Sequence, residues 1–232
     1  MSTDVLKSVS KKISQNHIVT RNERGQGDHS ILLCLDFDLT LTLFHTFRYV
    51  IDSIGGGFSR EDALLRAIKL IKRQGPKGGD ELWKVLAVCL NRGHGIAVTS
   101  FTAFPELAQA MLASGLSSIR PALSDRTMTR WLSRPLIVFG DPAPRYNPPH
   151  LLPNTHLVTH EELSRGEYGK NLHIQAALST LVSRGMSYEQ VILMDDDPNN
   201  IKLAEEAGHF TVPVSREEGE LSHLNLLLEM IS

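Results

Sequence analysis

Two carboxylates stand two positions apart at the end of an apolar run, where Ile31-Leu32-Leu33-Cys34-Leu35 is followed by Asp36-Phe37-Asp38-Leu39-Thr40. Neighbouring acids repel, and burying them unpaired is costly, so the pair calls for a cation or a chemical use. The apolar run reads as a fully buried strand. Open α/β sheets place their ligand sites just beyond such strand ends. If the extended geometry persists, Asp36 and Asp38 point the same way. Two further runs end in polar residues: Ile96-Ala97-Val98 in Thr99-Ser100, and Val191-Ile192-Leu193-Met194 in Asp195-Asp196-Asp197. Lys170 opens the helical pattern that precedes the last of these. Carboxylates, a hydroxyl and an ammonium form an inventory suited to a metal-assisted phosphate site.

The elements that must position these residues alternate along the chain. Apolar strand-like runs, including Leu136 to Phe139 and an edge strand at Phe210 to Pro213, are separated by helical patterns. Ser59 is placed to cap a helix reaching about Lys72, with Glu61 and Asp62 in its first turn. Asp80 is expected to cap the next, through Trp83 and Leu90. Further helices are expected over Pro105 to Ala113, from Lys170, and over Pro198 to Ala207, with an amphipathic tail from Arg216 to Ile231. This alternation predicts an α/β, Rossmann-like parallel sheet with helices on both faces. Residues 1–30 read as a polar arm with one short helix around Val5 to Ile13. Residues 31–215 are the core, and 216–232 a C-terminal helix.

Composition sets bounds. The 232 residues suit one domain with an insertion. The net charge of −2 gives no support for broad binding of nucleic acid or anionic membranes. Cys34 and Cys89 both lie in apolar segments, which argues against a disulfide framework and for a reducing, cytoplasmic setting. No stretch approaches a membrane span, and the polar N-terminus lacks the apolar core of a secretory signal.

In order along the chain, Asp36-Phe37-Asp38-Leu39-Thr40, Thr99, Lys170 and Asp195-Asp196 resemble the four motifs of the haloacid dehalogenase superfamily, in its phosphatase branch. The similarity runs from about 31 to 213 and is strongest where the first motif joins Met194-Asp195-Asp196-Asp197-Pro198-Asn199-Asn200-Ile201. It implies that Asp36 is a nucleophile forming an aspartyl-phosphate. Asp38 is implied as general acid and then base, with the raised pKa that this dual task wants. Thr99 and Lys170 are implied as phosphate-binding and catalytic groups, with Ser100 competing for the role of Thr99. The implied cofactor is Mg²⁺, held by the Asp36 carboxylate, the Asp38 main-chain carbonyl and Asp196, with Asp195 as the alternative ligand.

Each residue also has a bland reading. Asp36 and Asp38 fit a capped turn, and Asp197 fits N-capping alone ahead of Pro198. Thr99 fits a buried hydroxyl, and Lys170 a solvated lysine. His45, Phe47 and Arg48 follow the first motif closely and either rim the pocket or pack a helix. His150, His156 and His160 match no zinc spacing and read as loop histidines. Trp83 and Trp131 read as core, and Gly55-Gly56-Gly57 as a hinge.

In the resembled superfamily, cap insertions decide the substrate. Here about 44–79 is left for a small or minimal cap, and about 142–169 for a loop or flap. A small cap suits a phosphorylated macromolecule, so phosphoprotein, including phosphotyrosine, is the expected substrate. A faint similarity to phosphatase effectors of intracellular bacteria adds a secreted protein acting in a host cytosol as a second setting. The alternatives are a small-metabolite (sugar or nucleotide) phosphatase and a catalytically silent binding module.

Overall fold

Ile31–Leu35 is strand β1, and every one of its residues is buried. Such a run needs cover on both faces, and neighbouring strands and two helical layers supply it. The computed structural model describes residues 30–119, 122–123, 136–140, 152–164, 169–217 and 220–231. The expected arm with its helix around Val5 to Ile13, Trp131, and the parts 142–151 (with His150) and 165–168 of the expected flap lie outside these residues.

The other strands are β2 (Gly95–Ser100), β3 (Leu136–Phe139), β4 (Thr155–Leu157), β5 (Gln190–Asp195) and β6 (Phe210–Pro213). Among the described residues they form one parallel sheet in the order β4-β3-β2-β1-β5-β6. The helices are α1 (Thr46–Gly55), α2 (Arg60–Gln74), α3 (Gly79–Asn91), α4 (Pro105–Ile119), α5 (His160–Ser164), α6 (Asn171–Ser183), α7 (Pro198–Glu206) and α8 (Ser222–Ile231).

Alternation along β1 divides the core in two. Leu33, Leu35 and Phe37 pack with Val98, Met194 and helix residues such as Val50, Ala67, Leu86, Leu107 and Leu227. Leu32 and Cys34 pack on the other face with Val138, Leu193, Ile174, Ala177 and Ala204. The sheet is therefore an α/β, Rossmann-like layer with helices on both faces. The stretch 44–79 supplies α1 and α2, whose buried residues belong to the same core as β1. No described helix is long and apolar enough to cross a membrane.

Several expectations need correction. Residues 155–164 carry β4 and α5, where the sequence reads as loop. β4 pairs with β3 through Val138↔His156, so a three-residue strand is held by the sheet and not by any apolar pattern of its own. Helix α3, which begins at Gly79, has Gly78 as its N-cap, with φ of 85° favouring glycine, and Asp80 lies in its first turn. The C-terminal helix starts at Ser222 and not at Arg216. Helix α4 runs on to Ile119, beyond Ala113. Ser59 does cap α2, accepting from the Asp62 N–H at 3.0 Å.

Candidate active site

Strand register brings the candidate residues to one level. Leu35 lies opposite Val98 on one side and Met194 on the other. The next residue on each chain segment is Asp36, Thr99 and Asp195, so all three stand at the C-terminal edge of adjacent strands. Asp36 continues the pairing, its N–H donating to the Met194 carbonyl at 2.9 Å. By alternation Asp36 follows Leu32 and Cys34 toward the face covered by α6 and α7. Lys170, the residue before α6, meets it there.

The Lys170 ammonium donates to Asp36 Oδ1 at 2.6 Å and to the Thr99 carbonyl at 3.0 Å. It also lies 4.4 Å from the centre of the Phe101 ring. Lys170 is 2% exposed, so this ion pair is shielded from water. Burial pushes the Asp36 carboxyl up to about 7, with Asp195 adding to the rise and Lys170 opposing it. Burial likewise raises Asp195, against the pull of Lys170, the Asp197 N–H and Asn200. A buried carboxyl held this way is short of positive charge.

Oxygens of Asp36, Asp195 and Asp196 lie within 4.8 Å of one another. Asp195 accepts from the Asp197 N–H at 2.8 Å, and both of its oxygens accept from Asn200 Nδ2, at 3.2 and 3.1 Å. Asp196 accepts from Thr40 Oγ1 at 3.1 Å and from Arg216 Nε at 2.8 Å. Asp197 points away and caps α7, accepting from the Asn199 N–H at 2.8 Å ahead of Pro198. Three hard oxygen donors on one edge are the donor set that Mg²⁺ prefers.

Asp38 does not share the direction of Asp36. The extended geometry ends at Leu35, and Leu39 turns the chain with φ of 61°, a left-handed value costly for leucine. The turn is held by its neighbours: the Phe37 carbonyl accepts from the Leu41 and Thr42 N–H groups. The buried Lys77 ammonium donates to the Leu39 carbonyl at 3.0 Å and also to that of Ser215. The Asp38 carboxylate is thereby aimed at the start of α1. It accepts from Thr46 N at 2.9 Å, Thr46 Oγ1 at 2.5 Å and Phe47 N at 3.2 Å, and meets His45 Nδ1 at 2.8 Å. That contact holds His45 above its ordinary pKa.

Thr99 is fully buried, and its hydroxyl has no hydrogen-bond partner. Ser100 is nearly as buried. His173, one turn along α6 from Lys170, is buried with both ring nitrogens unpartnered and its edge against Phe101 at 4.7 Å. Burial first, then Lys170, drives its pKa well below the usual histidine range. The two cysteines take no part, since burial pushes both thiols up to about 12.

Asp36, Thr99, Lys170, Asp195 and Asp196 are thus brought together, with Ser100 beside them and Asp38 on the adjoining turn. His156 lies in β4 against Thr180, and His160 opens α5. Sequence reasoning missed Lys77, Phe101 and Arg216. Phe101 had one local signal, its place directly after Thr99-Ser100; Lys77 and Arg216 had none. No protein-family model, curated protein or solved structure matches this chain.

Proposed function

We propose that this chain is a Mg²⁺-dependent phosphomonoesterase that passes through an aspartyl-phosphate on Asp36, with phosphoprotein as its substrate. One observation carries the reading: a buried Lys170–Asp36 pair at 2.6 Å on the strand edge that also gathers Asp195 and Asp196. A structural ion pair has no need of two further carboxylates beside it, since their repulsion is costly. Asp36, Asp196 and the Asp38 main-chain carbonyl would hold the ion, with Asp195 oriented by Asn200 behind them. When bound, Mg²⁺ supplies positive charge that offsets both the acids and a transferring phosphoryl group.

The protein's own groups divide the work. Lys170 favours ionised Asp36, and the Asp36 oxygen attacks phosphorus as the ester P–O bond breaks. Asp38 gives a proton to the departing oxygen, then takes one from the water that attacks the phosphoryl group. That step regenerates Asp36 and releases inorganic phosphate. The unpartnered Thr99 hydroxyl is an available donor to a phosphoryl oxygen. Support for a macromolecular substrate is that α1 and α2 share the main core and that the described residues contain no second sheet over the site.

The test is hydrolysis of para-nitrophenyl phosphate with Mg²⁺ and with chelator, beside the Asp36→Asn variant. Activity should require Mg²⁺ and fall by at least about a thousandfold in the variant, as expected on removing a covalent nucleophile. Substantial Mg²⁺-dependent turnover by Asp36→Asn would overturn the mechanism. A panel of phosphopeptides, sugar phosphates and nucleotides tests the substrate: preference for a small metabolite would overturn the phosphoprotein reading.

A further inference from the structure

His45 is the N-cap residue of α1, yet its side chain makes no capping bond. Its ring turns instead to the Asp38 carboxylate, with Nδ1 at 2.8 Å from Oδ2. The two oxygens of Asp38 are held unequally. Oδ1 accepts from both the main-chain N–H and the hydroxyl of Thr46, a residue with no exposed surface. Oδ2 has a long bond from Phe47 N at 3.2 Å and the contact with His45. Rotation about the last bond of an aspartate is soft, and the Phe47 bond is the longest of those to Asp38, so a carboxyl held chiefly at Oδ1 still swings. His45 closes that freedom. Its side chain is 51% exposed and that of Asp38 is 12%, so the imidazole stands between the carboxyl and solvent. The Phe47 ring lies 6.4 Å from it, a tilted aromatic neighbour two residues further along the chain.

We propose that His45 is a positioning residue for the Asp38 general acid, fixing the plane of its carboxyl against the leaving oxygen; this rests on the phosphomonoesterase reading of the site. In the first chemical step the bond from Asp36 oxygen to phosphorus forms and the ester P–O bond breaks. The Asp38 proton goes to the leaving oxygen, and His45 gains and loses nothing. The need for that proton depends on the substrate. A nitrophenolate departs with little help, whereas a phenolate or an alkoxide requires protonation as it leaves. A misplaced acid therefore harms slow leaving groups far more than fast ones. Loss of a merely structural contact harms all substrates alike.

The test measures kcat/KM, which reports the steps through leaving-group departure, for para-nitrophenyl, phenyl and alkyl phosphates with saturating Mg²⁺. The proteins are the full chain, His45→Ala, His45→Asn, Asp38→Asn and the Asp38→Asn, His45→Ala double variant. His45→Ala is expected to lose less than about threefold on para-nitrophenyl phosphate but about ten- to a hundredfold on the phenyl and alkyl esters. His45→Asn, whose amide N–H can occupy the place of Nδ1, should recover most of that loss. In the Asp38→Asn background, His45→Ala should change nothing further. Equal losses on all esters, no loss at all, or full additivity with Asp38→Asn would overturn the proposal. A wild-type chain inactive on every ester, or an Asp36→Asn variant that stays active, would instead overturn the phosphomonoesterase reading on which it stands.

Discussion

Asp36, Asp195 and Asp196 are crowded: three carboxylates share one edge, and Lys170 is ion-paired with only the first. Their residue types and order were legible in the sequence because acids at the ends of apolar runs are rare without a use. The direction of Asp38 was not legible. It depends on a positive φ at Leu39, a residue type that gives no warning of a left-handed turn. Arg216 was hidden for another reason, since it reaches Asp196 from 20 positions further along the chain. Arg216 Nε lies 2.8 Å from Asp196 Oδ2, so under the proposed mechanism it would compete with Mg²⁺ for that oxygen. The Arg216 side chain is 62% exposed and that of Asp196 only 6%, so solvent screens the pair from the arginine side and it contributes on the order of 1 kcal/mol. Arg216→Ala should therefore tighten Mg²⁺ binding by up to about fivefold in isothermal titration. Weaker binding in that variant would mean that Arg216 orients Asp196 for the ion.

Register turns scattered acids into a site at the scale of elements. Pairing of Leu35 with both Val98 and Met194 sets Asp36, Thr99 and Asp195 side by side, and each follows a strand whose apolar run was readable. Strand β4 was not readable, because Thr155-His156-Leu157 is too short for a pattern and is recruited by the edge of β3. Local capping chemistry was readable at two helices: Ser59 caps α2 and Asp197 caps α7, each side chain meeting an N–H of the first turn. Asp197→Ala should cost about 1 kcal/mol in denaturant unfolding, the usual loss for an N-cap. Its effect on turnover should be small beside that of Asp36→Asn. A loss of activity comparable with Asp36→Asn would place Asp197 among the metal-holding acids.

Taken together, the described residues form one sheet with two apolar layers, and α1 with α2 belong to the layer that also covers β1. Composition and alternation carried that architecture, since buried parallel strands must be apolar throughout. Helix α6, which packs on the second layer, carries the buried His173, whose burial and the nearby Lys170 disfavour the charged ring. Its folded pKa lies well below 6.5, so the unfolded chain takes up a proton that the folded one refuses. Stability held above pH 6.5 is therefore lost as pH falls through that value, at up to about 1.4 kcal/mol per pH unit from this residue. His173→Phe should flatten the fall in unfolding free energy between about pH 6.5 and 5. An unchanged slope would show that His173 finds a partner or solvent when it charges.

The expectations about turnover depend on Asp36 carrying a phosphoryl group. Acid quenching within the first turnover, followed by reduction with borohydride and peptide mass spectrometry, reads that directly. Aspartyl phosphate is reduced to homoserine while free aspartate is not. Homoserine at position 36, formed only with substrate and Mg²⁺ and missing from Asp36→Asn, is the predicted result. An active enzyme with position 36 unmodified throughout turnover, or with the modification at another acid, would contradict it.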